Sequence, residues 1–379
     1  MVKRGHVGIN AHLLAGTADY RRAGIHHYIA QVLRHLPRDV GLDYTVLTGA
    51  GADILPDLRL VGSWWGTERP LARILWEQLV WGPRAVAERF DLVHSMAFAL
   101  PPWLPCPAVV TIYDLSFIHY PERFPALKRL YLRWQTERSC RVAAKVVAIA
   151  EAGKRDIHER LGVPLERIEV VRPGVGERYG PRAAAEVDAF RQKEGLPEQF
   201  ILHVGTLQPR KNIPLLIDAF ALLRRRGQIG GDVGLVLVGG KGWLYDEIFA
   251  KVEQYQLEKM VRFTGYVSDE ALPLWYNSAT LLAFPSAYEG FGLPVVQALA
   301  CGTPVVAANQ SAIPEAGGEA ALLFEPGEVE SLASCMASVL QDETVRATMR
   351  AMGWQQAKKF SWAEAGRKMA EIYRAQLTL

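Results

Sequence analysis

Short apolar runs and helically spaced apolar positions alternate along nearly the whole chain. In the first half the runs lie at about His6–Asn10, Tyr44–Leu47, Leu92–His94, Val109–Tyr113 and Lys145–Ile149. In the second they lie at Phe200–Val204, Gly234–Val238, Val261–Thr264, Leu281–Pro285 and Pro304–Ala308. Apolar runs this short, bounded by turn residues, predict buried strands. Between them Ile25, Ile29, Val32 and Leu36, and later Ile213, Leu216, Ile217 and Phe220, fall on single helix faces. Strands alternating with helices predict parallel sheets covered by helices, an α/β fold. The pattern breaks between Pro173 and Glu198, a stretch rich in Gly, Pro and charge, where we place a hinge. A last helical pattern covers about Trp362–Gln376. There is no internal repeat and no low-complexity tract.

Two segments carry candidate chemistry. Residues 285–304 read Pro-Ser-Ala-Tyr-Glu-Gly-Phe-Gly-Leu-Pro-Val-Val-Gln-Ala-Leu-Ala-Cys-Gly-Thr-Pro. Here Glu289 sits in a glycine-rich turn, Leu293-Pro294 fits a helix start, and Gly302 fits its stop. A carboxylate beside a helix N-terminus can bind a sugar hydroxyl while the free N–H groups hold phosphate. In residues 200–220, Arg210 and Lys211 follow a buried strand and a glycine turn. Adjacent cations at the carboxyl end of a strand suit a diphosphate. Spacing alone also allows a tight αβ connection with Glu289 merely solvated, and a solvated Arg-Lys pair.

Taken together, the segments Gly-Thr-Leu-Gln-Pro-Arg-Lys-Asn (205–212) and Glu-Gly-Phe-Gly-Leu-Pro (289–294) closely resemble the family 4 retaining glycosyltransferases, glycosyl transferases group 1. Further stretches in the family's order are Thr111–Pro121, Val171–Val175, Val261–Val267 and Phe360–Trp362, so the resemblance covers nearly the full length. It implies a GT-B fold of two Rossmann-like domains whose parallel sheets face each other across a cleft. An acceptor-side domain would span 1–175, with helix 360–379 packing back on it, and a nucleotide-sugar donor domain 190–359. It implies transfer of a hexose from a nucleotide diphosphate-sugar, GDP-mannose or a UDP-sugar, with retention at the anomeric carbon. The acceptor would be a glycan or a lipid-linked molecule in polysaccharide assembly. The Asp-Leu-Ser-Phe segment (114–117) leans toward mannosyl- and related transferases of bacterial surface polysaccharides.

By the same resemblance, Arg210 and Lys211 would stabilise the departing diphosphate and Glu289 would hold hydroxyls of the transferred sugar. Gly205, Thr206, Gly290, Phe291, Gly292 and Leu293 would complete the donor loops, and Gly265, Tyr266 and Val267 would border the base. Gly24 and Ile25 would reach the phosphates from the first domain, and Tyr113 and Asp114 would face the reaction from the acceptor side. Three positions depart from the family pattern. Gln297 replaces a Glu that holds the ribose, Tyr113 replaces a His, and Gly24-Ile25-His26-His27-Tyr28 replaces Gly-Ile-Gly-Arg-Tyr. An amide in place of a carboxylate weakens donor binding by about tenfold at most. The family needs no cofactor beyond the donor substrate. The chain has no Asp-x-Asp, so we expect no metal and activity in excess chelator.

Composition narrows the setting. At 379 residues, half of them hydrophobic and 22% charged, the chain suits a soluble two-domain protein. No stretch reaches the roughly 18 uncharged apolar residues of a membrane span, and the first residues are no signal peptide. Cys106, Cys140, Cys301 and Cys335 lack metal-ligand spacing and read as free thiols in a reducing compartment, which places the protein in the cytoplasm. Residues 1–185 hold 25 Lys and Arg against 18 Asp and Glu, net +7, whereas 186–379 hold 18 against 22, net −4. Much of the excess lies in Lys128, Arg129, Arg133, Arg138 and Arg141, interleaved with Leu130, Tyr131, Leu132 and Trp134. That pattern suits a packed helix with a solvated outer face, or peripheral contact with an anionic membrane at its inner face. No nucleic-acid motif appears. Gly174–Gly180 misses dinucleotide-binding spacing by one residue, and Gly234–Lys241 is displaced from a phosphate loop and lacks its Ser or Thr. The rival readings are a nucleotide-sugar-binding protein without turnover and a GT-B epimerase or phosphorylase.

Overall fold

The computed structural model describes residues 4–14, 23–49, 57–63, 66–67, 69–242 and 244–377. The chain divides into two compact units, Met1–Gly174 with Trp362–Leu379, and Val175–Ser361. Each is built on its own parallel sheet.

The first unit holds β1 (Gly5–Asn10), β2 (Leu42–Thr48), β3 (Arg59–Gly62), β4 (Leu92–Ser95), β5 (Ala108–Ile112), β6 (Lys145–Ala148) and β7 (Ile168–Val170), in the order β3-β2-β1-β4-β5-β6-β7. All adjacent pairs are parallel. Every residue of β4 and β5 is buried, as expected of strands covered on both faces. The helix Trp362–Leu377 belongs to this unit and packs on the helix Ala23–Arg34 and on β1 and β4. Two contacts fix it. Gly366 lies so close to the His35 carbonyl that any Cβ would collide with it. The Tyr373 hydroxyl meets His94 Nδ1 of β4 at 2.6 Å.

The second unit holds β8 (Gln199–Val204), β9 (Val233–Val238), β10 (Val261–Gly265), β11 (Leu281–Phe284), β12 (Val305–Ala308) and β13 (Ala321–Phe324), in the order β10-β9-β8-β11-β12-β13. Its pairs are parallel too. The order runs one way from β8 to β10 and the other way from β11 onward. That is the doubly wound topology, with a crevice beyond the carboxyl ends where the direction reverses.

Three strands were not anticipated by the apolar pattern: β3, β7 and β13. All are sheet edges of three or four residues, where one side needs no apolar cover and the run is too short to register. The stretch expected to be a hinge contains the helix Ala184–Glu194, which ends at Gly195 with φ +60°. None of its side chains is buried, so it carries no apolar stripe from which to predict it. The lysine of the false phosphate loop, Lys241, stands 5.1 Å over the Tyr245 and Phe249 rings and is a packing residue.

Candidate active site

The crevice of the second sheet lies between β8 and β11. The loop leaving β8 ends in a 3-10 turn, Pro209–Lys211, before the helix Ile213–Arg225. The loop leaving β11 ends at Gly292, whose φ of +108° opens the helix Leu293–Cys301, and Gly302 at φ +80° closes it. The two loops are tied directly, the Ala287 N–H donating to the Arg210 carbonyl at 2.8 Å. Gly239, after β9, adopts φ +148° against the Gly205 carbonyl, and a Cβ there would strike it. Glycine at that position lets the neighbouring loops close on each other.

This framework gathers Arg210, Lys211 and Glu289 into one cluster. Lys211 Nζ donates to Glu289 Oε1 at 2.6 Å, and Arg210 Nη1 donates to Glu289 Oε2 at 3.0 Å. Arg210 Nη1 also reaches the Tyr288 carbonyl at 2.8 Å. The Lys211 and Glu289 side chains are only 9% and 10% exposed, so the pair is held almost without water. Burial alone would raise the Glu289 carboxyl, but Arg210 and Lys211 outweigh it and hold the group at about 2. Burial lowers Lys211 from its ordinary range, with Glu289 opposing that shift. The three side chains expected to meet different parts of a ligand therefore hold each other. Charges this poorly hydrated need a counter-charge.

Gln297 is buried on the helix Leu293–Cys301, and its Oε1 accepts from the Tyr276 hydroxyl at 3.1 Å. Gly205, Thr206, Gly290 and Phe291 belong to the same two loops and Leu293 opens the helix after the second, while Gly265 ends β10 and Tyr266 and Val267 follow it, with Tyr266 exposed. Gly24 and Ile25 stand in the first turn of the helix Ala23–Arg34 of the first unit. In that unit Asp114 accepts from the Ser116 N–H at 2.9 Å, a bond that shapes the turn after β5. Tyr113 is buried, its hydroxyl donates to the Met96 carbonyl at 2.7 Å, and its ring packs on Tyr28 and Phe98.

Residues 186–359 match the family model described as glycosyl transferases group 1, and residues 22–177 match glycosyltransferase family 4. The O-antigen chain mannosyltransferase B of Escherichia coli is 34% identical over 284 residues, 75% of this chain and 74% of that protein. The chain is a family 4 glycosyltransferase. Its two parallel-sheet units are those of the GT-B fold. Sucrose-phosphate synthase from Thermosynechococcus elongatus is similar at a TM-score of 0.78 and 21% identity, over 98% of this chain and 99% of that one. Anabaena HepE in complex with UDP-glucose is similar at 0.73 and 22%, over 98% and 99%.

Two residues of this glycosyltransferase's site escaped the sequence reading. Ser311 clamps the Glu289 backbone, its hydroxyl donating to the Glu289 carbonyl at 2.6 Å and accepting from the Glu289 N–H at 3.2 Å. A lone serine 22 positions downstream gives no signal in sequence. His203, inside β8, did give one, since a histidine in an apolar strand needs a partner. Its Nδ1 donates to the Ala283 carbonyl at 3.1 Å, and burial pushes it down to about 4, so it stays neutral behind Lys211.

The Glu289 carboxyl yields a pH prediction. Held at about 2 against an ordinary 4.5, it binds fewer protons folded than unfolded. Its contribution is complete above pH 4.5 and is lost as pH falls toward 2. The size is on the order of 3 kcal/mol. Denaturant unfolding across this window should show a steeper acid loss in the wild type than in Glu289→Gln, and equal slopes would contradict the pairing.

Proposed function

We propose that this glycosyltransferase moves a hexose from a nucleoside diphosphate-sugar to a hydroxyl of a glycan or lipid-linked acceptor, with retention and without a metal ion. The reading is supported chiefly by the convergence of Arg210, Lys211 and Glu289 at the reversal point of the second sheet. The bond from the anomeric carbon to the diphosphate breaks, and negative charge grows on the departing oxygen. Arg210 and Lys211 are the preorganised donors for that charge, and such donors are typically worth about 10²–10³ in rate each. The helix Leu293–Cys301 adds N–H groups that no side chain caps. The acceptor oxygen bonds to the same face of the anomeric carbon, and its proton passes to the departing phosphate. Glu289 holds hydroxyls of the sugar in transit. Mannose in bacterial surface-polysaccharide assembly is the favoured sugar and setting, on the likeness to the E. coli mannosyltransferase B.

Purified protein offered a panel of UDP- and GDP-sugars in excess chelator should release the nucleoside diphosphate from one of them. Activity only on addition of a divalent cation, or none with any donor and acceptor, would overturn the reading.

A lipid-linked acceptor would require the first unit to work at a membrane surface, and we include that contact in the proposal. Among the described residues no helix is long and apolar enough to cross a membrane. The helix Ala126–Val142 instead turns Leu127, Leu130 and Trp134 outward, Leu127 to 84% exposure. The helical stretch from Pro70 carries a second outward stripe, Leu71, Leu75 and Leu79. Tyr131 on the first helix interacts electrostatically with Arg73 and Glu77 on the second stretch. Exposed Lys128 and Arg133 border the apolar residues. Arg138 does not, because it bonds to the Leu100 and Pro101 carbonyls. An apolar stripe edged by cations suits an anionic bilayer. The protein should float with phosphatidylglycerol-containing vesicles and not with phosphatidylcholine alone, and Leu130→Asp with Trp134→Asp should abolish flotation. Flotation with neither vesicle would contradict the contact.

A further inference from the structure

We propose that Glu289 has a second role at the donor site: it selects the diphosphate-sugar over the free nucleoside diphosphate by occupying the cations whenever no sugar is present. This rests on the donor-site reading above. Arg210 and Lys211 carry two positive charges and Glu289 one negative charge, and the neighbouring His203 is neutral. The cluster is therefore satisfied internally, with one positive charge in excess.

A ligand must replace those contacts, because the Lys211 and Glu289 side chains are nine-tenths buried and water cannot do so. The Glu289 backbone is fixed, since Ser311 bonds both its N–H and its carbonyl and Arg210 bonds the carbonyl before it, which keeps the buried carboxylate within reach of the cations. A diphosphate-sugar re-partners every group, the phosphates taking the cations and the sugar hydroxyls taking the carboxylate. A free nucleoside diphosphate re-partners only the cations. It leaves Glu289 buried, ionised and facing an anion that carries more charge than the donor did. The product is thus bound against the return of Glu289 to Lys211 and Arg210, and that return helps to expel it. Glu289 favours the loaded donor and hastens release of the spent one.

The test is calorimetric titration of the full-length protein with inorganic pyrophosphate, UDP and GDP, in chelator, for the wild type and Glu289→Gln. The neutral amide frees the cations, so the variant should bind pyrophosphate and its cognate nucleoside diphosphate about tenfold tighter or more. It should at the same time lose its preference for the diphosphate-sugar. Glu289→Gln binding pyrophosphate no tighter than the wild type would overturn the proposal. If the variant does not fold, Glu289→Asp, which keeps the charge but shortens its reach, should show a smaller tightening, and wild-type affinity there would equally overturn it. Tightening for pyrophosphate with no binding of any nucleotide would keep the role of Glu289 as counter-charge and refute the donor reading instead.

Discussion

Two cations held side by side in a nearly dry crevice need an anion, and this constraint shapes the second unit. Arg210 and Lys211 come from the loop after β8, and Glu289 comes from the loop after β11. Those strands are neighbours where the sheet reverses its order. The charges meet only if both loops are fixed, and the fixing elements are small: the Ala287–Arg210 backbone bond, glycine at 239 and 292, and the Ser311 clamp. The site is thus held together by the same groups that, on the proposed function, would meet a ligand.

The first unit follows a different logic. Its sheet also reverses order, at β1 and β4, yet two of the residues singled out there have local structural contacts. Tyr113 lies among Tyr28 and Phe98 with its hydroxyl bonded to a main-chain carbonyl, and Asp114 shapes the turn that follows. What this unit offers to its surroundings is the outer face of two helices with leucines and a tryptophan exposed beside cations.

Much of the fold was legible because buried parallel strands write themselves as uninterrupted apolar runs. β4, β5, β8, β9 and β11 all read that way, and the proline and glycine bounding Leu293–Cys301 marked both helix ends. The edge strands β3, β7 and β13 and the polar helix Ala184–Glu194 were not legible, because neither has an apolar face to display. At the site, the residues that carry charge were readable from motifs, but their pairing was not. Sequence separates Lys211 from Glu289 by 78 positions, and only the adjacency of β8 and β11 makes them partners. The outward turn of Leu127, Leu130 and Trp134 was equally hidden, since helical spacing fixes a face and not its direction.

The most direct test is a crystal structure of the protein with its cognate nucleoside diphosphate-sugar or diphosphate bound. The account predicts phosphate oxygens within hydrogen-bond reach of Arg210 and Lys211, at the carboxyl ends of β8 and β11, with the Glu289 carboxylate drawn off Lys211. A diphosphate bound elsewhere, with the Lys211–Glu289 contact intact, would contradict it.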